Sequence, residues 1–152
     1  MDARESFTVD TVLAPVDGSE ESATAVEYAV AVADRYDASV HAVFVLGRGV
    51  VRGLDAGTVK EDEVADSTQG FLDDVGRIAA DADVSLSTSV DHGFSTTRKT
   101  RHPGNVVLDT ADAVDADFIV LPREPVTGAP AEVLEKAAEY VLSYASQPVL
   151  SV

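Results

Sequence analysis

Cysteine is absent from the 152 residues, which excludes disulfides, thiolate nucleophiles and thiolate metal ligands. No apolar run approaches the roughly 18 residues of a membrane-spanning helix. The N-terminal stretch MDARESFTVD also lacks the apolar core of a secretory signal. A cytoplasmic location without membrane contact is therefore expected. Histidine occurs only at His41, His92 and His102, too far apart in sequence to suggest a zinc site. Positive charge is the scarcest commodity. Eleven Lys and Arg face 27 Asp and Glu, a formal charge of −16, and the lysines are only Lys60, Lys99 and Lys136. Such a field repels phosphate backbones, so nucleic acid is not an expected partner.

The acids do not form a disordered tail, because they are interspersed through periodic apolar segments. Many acids, few lysines and an apolar complement rich in Ala and Val suit a halophilic cytoplasm. Self-repulsion there is screened to a Debye length of about 3 Å at 1 M salt. The plainer alternative is an ordinary acidic protein.

What is present is a 45% hydrophobic chain of one-domain length, read as a single domain over 1–152. Strand and helix patterns alternate along it. Thr8–Val16 is rich in β-branched residues and reads as a buried strand. A helix follows, with Ser19 as N-cap, Glu20 and Glu21 in its first turn, and Ala23, Val26, Val30 and Ala33 on one face. Ser39–Leu46 is a second strand, and Gly47–Gly57 reads as a glycine-rich loop. Thr58 and Glu61 form a capping-box pattern ahead of a helix carrying Val64, Phe71, Leu72, Val75 and Ile78. Val84–Val90 alternates as a strand with one covered face, and residues 91–104 read as a polar loop. Residues 105–116 are a short helix and 117–122 a continuous apolar strand. Val133, Leu134, Ala137, Ala138, Val141 and Leu142 make the apolar face of the last helix, and Pro148–Val152 is the last strand. Alternation of this kind implies an α/β fold with a parallel sheet and helices on both faces.

The stretches VLAPVDGSEESATAVEYAV, GNVVLDTADAVDADFIVLP and QPVLSV resemble the universal stress protein family over essentially the whole chain. The resemblance implies a single open five-stranded parallel sheet of order 3-2-1-4-5 and a homodimer paired through the C-terminal strand. In that dimer Val149, Leu150 and Val152 would form the edge. It also implies a choice between two kinds of member, one that binds ATP and one without the nucleotide loop.

The ATP-binding kind carries G-x-x-G-x9-G-[ST] after the fourth strand. Laid on this chain, its positions fall on Pro122, Pro125, Glu135 and Lys136, so none is kept. Proline also offers no N–H to a phosphate, and Pro122 holds Leu121 extended. Pro130 suits the first position of a helix that starts where the phosphate loop should still be wrapping.

Other positions do match the family's. Pro15, Asp17 and Val45, with Leu121 beside them, correspond to the adenosine side of the site. The plainer readings are a helix cap for Asp17 and strand packing for Pro15 and Val45. No cofactor is expected, and weak adenosine or AMP binding is the most the pattern allows. The sequence names no protein partner.

Residues 92–108 contain no acid at all in a chain with 27, and hold Arg98, Lys99, Arg101 and His102. This is a candidate anion or partner loop, or a solvated loop paired with the acidic surface. No catalytic constellation is legible, and His41, inside a strand, reads as a satisfied core residue. The expected protein is a non-enzymatic regulatory dimer without productive ATP binding, with a slow ATPase as the alternative.

Overall fold

The computed structural model describes residues 7–92, 103–123 and 133–152. Its elements are β1 (Thr11–Val16), α1 (Glu20–Tyr36), β2 (Ser39–Leu46), α2 (Arg48–Ala56), α3 (Glu61–Asp81), β3 (Leu86–His92), α4 (Pro103–Ala113), β4 (Phe118–Leu121), α5 (Val133–Tyr144) and β5 (Val149–Ser151). The strands form one parallel sheet of order β3-β2-β1-β4-β5, as the family resemblance implied.

Both sheet faces are covered, which explains why the central strands are apolar at consecutive positions rather than alternate ones. One core holds Val12, Ala14, Val16, Val40 and Phe44 of the strands against Ala25, Val26, Ala29, Val30 and Ala33 of α1 and Leu72, Val75 and Ala79 of α3. The other holds Leu13, Val43, Val45, Ile119 and Leu121 against Val106, Val107 and Ala111 of α4 and Ala137, Ala138 and Val141 of α5. The buried stripe of α1 centres on Ala25 and Ala29, so Ala23 lies at its border. Leu142, placed on the apolar face of the last helix by its spacing, is 53% exposed.

Two local expectations fail. Residues 48–56 are helical rather than a loop. Gly47 occupies the N-cap and Gly57, at φ 74°, ends the helix in a left-handed conformation that a Cβ would strain. Gly53 sits inside it because a Cβ there would lie 2.3 Å from Val59 Cγ2. Three of the four glycines in this stretch thus mark the two ends and one close contact of a helix. The capping box is not used either. Lys60 is the N-cap of α3, and the Thr58 hydroxyl instead donates to Gly53 O at 3.3 Å. Strand bounds also shift: β1 starts at Thr11, β3 runs through His92, and α4 begins at Pro103.

Three helix ends share a device that the sequence conceals. Asp37, Asp83 and Asp115 adopt left-handed φ of 56°, 57° and 54°, where glycine is usual. Each is followed by an N–H that reaches back into the helix: Ala38 to Ala33 O, Val84 to Ala79 O and Ala116 to Ala111 O, at 2.8–2.9 Å.

Candidate functional site

The order 3-2-1-4-5 reverses direction between β1 and β4, and ligands of open α/β sheets bind outside the carboxyl ends of the strands at such a switch point. Pro15 and Asp17 leave β1 there, Val45 lies near the end of neighbouring β2, and Leu121 and Pro122 end β4. The fold therefore brings Pro15, Asp17, Val45, Leu121 and Pro122 to one end of three adjacent strands. Val45 and Leu121 are 1% and 0% exposed and pack in the core shared with α4 and α5. Pro15 and Pro122 are buried as well.

Asp17 is built into the turn that starts α1. Its Oδ1 accepts from Ser19 N at 3.0 Å and from Ser19 Oγ at 2.5 Å. Ser19 Oγ in turn accepts from Ser22 N at 3.1 Å, closing the N-cap that the sequence placed at Ser19. Ser22 Oγ donates to Ser19 O at 2.9 Å and accepts weakly from Asp17 N at 3.4 Å. Gly18 permits the turn with φ 88° and passes against the Phe44 ring, which meets Phe71 edge-on with centroids 5.8 Å apart. Asp17 thus acts as a cap through Ser19. Its second oxygen, Oδ2, is buried without a hydrogen-bond partner.

The remaining sequence candidates divide. Val149, Leu150 and Val152 lie half-buried on or next to β5, at the sheet edge. Arg98, Lys99, Arg101, His102, Pro125 and Pro130 lie outside the described residues. Glu135 and Lys136 fall in the first turn of α5, their side chains outside the described part. Among the described residues no group of three or more His, Asp or Glu is placed to hold a metal ion. No helix is long and apolar enough to cross a membrane, among those residues.

A cleft of about 580 Å³ that sequence reasoning missed lies at the opposite end of the sheet, lined by Asp112, Asp115, Asp117, Gln147 and Pro148 among others. Its signal in the sequence is the acid-rich DTADAVDAD ahead of β4. Asp117 has a structural task there, since its carboxylate accepts from Asp10 N and Thr11 N at 3.0–3.2 Å and ties β1 to the start of β4. The cleft is remote from the switch point.

His41 is satisfied, as expected. Its Nδ1 and Nε2 lie 2.7 and 2.8 Å from the hydroxyls of Ser87 and Ser89 on β3. Burial lowers its pKa below the ordinary 6.5. The unfolded chain therefore takes up this proton first as pH falls. The contribution is fully present above about pH 6.5 and declines as the pH drops from there towards the folded value. The urea midpoint is expected to fall more between pH 7 and pH 5.5 in the wild type than in His41→Asn. Equal falls would assign the acid sensitivity to other groups.

A family model described as "Universal stress protein family" matches residues 8–152. Universal stress protein MJ0531 of Methanocaldococcus jannaschii is 29% identical over 144 residues, spanning 93% of this chain and 80% of that protein. A universal stress protein solved in complex with cAMP superposes with a TM-score of 0.68 at 19% identity, over 96% of this chain and 98% of that one. One from Archaeoglobus fulgidus in complex with dAMP gives 0.63 at 19% identity, over 94% and 96%.

Proposed function

The chain belongs to the universal stress protein family, and we propose that it is a non-enzymatic, dimeric stress-response or regulatory module that does not hold ATP productively. The observation that carries this reading is Pro122, buried at the end of β4 where the ATP-binding kind has the first glycine of its phosphate loop. A proline at that position supplies no backbone donor and leaves no room for the close approach that glycine permits. The absorbance ratio at 260 and 280 nm of purified protein tests it, with mass spectrometry of the denatured supernatant. Protein free of nucleotide is the expected result, and stoichiometric ATP would overturn the reading.

A second reading has one observation in its favour. The unpartnered Oδ2 of Asp17 leaves an acceptor on the adenosine side of the site. Similar structures hold cAMP or dAMP. Weak binding of adenosine or AMP without anchored phosphates fits both facts. An ATPase on a rearranged loop fits them less well, since hydrolysis requires the phosphates to be positioned.

Dimerisation belongs to the same proposal. β5 is a sheet edge whose Val149, Leu150 and Val152 are only half-buried, and an apolar edge without charges invites pairing with a second copy. Light scattering at high salt should return twice the 15.9 kDa chain mass. A monomer would remove the dimer from the proposal. The halophilic setting is supported by the charge of −16. The melting temperature should rise steeply from about 0.05 to 1 M KCl as the Debye length shrinks to a few ångströms. A flat response would contradict it.

A further inference from the structure

The pairing of β1 with β4 stops at Leu13↔Ile119, although β1 runs to Val16 and β4 to Leu121. The reason lies in which way the backbone groups point. Along a strand, successive residues direct their N–H and C=O groups to opposite neighbours. Ser39 N of β2 donates to Asp10 O, so residues 12 and 14 of β1 turn towards β2, and 13 and 15 turn towards β4. On β4, Ile119 N donates to Pro148 O, Leu121 O accepts from Val152 N, and Arg123 N donates to Val152 O. Residues 119, 121 and 123 therefore turn towards β5, and 120 and 122 towards β1. The next two rungs of the β1–β4 ladder would be residue 15 N–H to Val120 O and residue 122 N–H to Pro15 O. Both donors belong to prolines, so neither rung can form.

The seam thus ends in two backbone carbonyls, of Val120 and Pro15, at buried positions and without ladder donors. Two residues beyond Pro15 comes Asp17, whose Oδ1 serves Ser19 and whose Oδ2 is buried and unpartnered. Among the described residues, the β1–β4 ladder at this end presents acceptors and no ladder donor. Buried acceptors call for a donor. A phosphate, which brings only acceptors and negative charge, is the wrong complement.

We infer that the carboxyl end of the β1–β4 seam, with Asp17, is a recognition site for a primary ammonium group on a phosphate-free ligand. Such a group brings three N–H donors and a positive charge that matches the Asp17 carboxylate. The inference rests on the proposed loss of the phosphate half. ATP calorimetry tests that loss, and the ammonium experiment below fails or succeeds independently of it.

The test is thermal unfolding in molar NaCl, with n-butylammonium or tetramethylammonium replacing sodium ion for ion. Tetramethylammonium has the same charge and no N–H. At ten times its dissociation constant, butylammonium is expected to raise the melting temperature by about 3–6 °C, saturably. Tetramethylammonium should produce no saturable rise. Asp17→Asn keeps an acceptor for Ser19 but loses the charge, and should lose the response. Pro122→Ala restores a donor for the Pro15 carbonyl. Its new amide should exchange slowly with solvent, and its butylammonium response should weaken several-fold. Equal behaviour of the two cations, no response to either, a full response in Asp17→Asn, or a fast-exchanging amide at position 122 in folded Pro122→Ala would each overturn the inference.

Discussion

ATP titrated into the purified protein is expected to give no calorimetric binding below about 1 mM. On the function proposed above, proline at 122 and at 125 removes two backbone donors from the phosphate loop. A hydrogen bond to a charged group contributes about 1.5–3 kcal/mol. Losing two costs about 3–6 kcal/mol, or two to four decades of affinity, which turns a micromolar site into a millimolar one. Alternation along β4 adds direction to this arithmetic. The donor missing at Pro122 is one that would have faced β1 across the switch point, since Leu121 and Arg123 both bond to Val152 on the other side. Contacts to Asp17 do not depend on that donor, so adenosine is expected to lose less than ATP. The fourfold replacement Pro122→Gly, Pro125→Gly, Glu135→Gly and Lys136→Ser should recover part of the ATP affinity, offset by the looser turn that the new glycines create. A dissociation constant in the micromolar range for the unmodified protein would remove the argument at its root.

Gly104→Ala is expected to cost about 1–3 kcal/mol, by overpacking a contact that has no slack. Gly104 is buried near the start of α4, and a Cβ there would lie 2.4 Å from Tyr140 Cδ1 and 2.7 Å from its Cβ and Cγ. The struck atoms include the Cβ of Tyr140, which is fixed to the backbone of α5, so a rotamer change cannot relieve the clash. The same ring is held at its far end, where Tyr140 OH donates to Asn105 Oδ1 at 2.7 Å. Alanine gains up to about 1 kcal/mol in helix propensity over glycine, which is too little to offset the clash unless the helices separate. For a chain of this size the net loss should lower the melting temperature by about 2–4 °C per kcal/mol. Introducing Gly104→Ala into a Tyr140→Gly background, which removes the Cβ as well as the ring, separates the causes. There the substitution should be neutral or stabilising, because the obstacle has gone. If the cost persisted without the ring, the contact between α4 and α5 would not be the reason for glycine.

Some of this was legible because it depends on local periodicity. Continuous β-branched runs identified Ser39–Leu46 to the residue, and the Ser19 cap was readable from its serine and the acids behind it. The run at 47–57 misled because glycine marks loops in general and here marks helix ends and the close contact with Val59. Nothing local distinguishes those uses. Likewise the aspartates at 37, 83 and 115 look like surface charge in the sequence. Only the chain's return to the sheet calls on them for left-handed turns.

The sequence by itself determined the α/β class and the family, because pattern and residue identity suffice for these. It also places prolines at 122 and 125, directly after the fourth strand. Only the tertiary structure decided that Pro15 and Pro122 act on the same seam, from strands more than a hundred residues apart in the chain. Only it decided that Asp17 divides its two oxygens between a helix cap and an unfilled position. The physical reason is that hydrogen-bond direction in a sheet depends on register, and register is set by which faces the cores on the two sides bury.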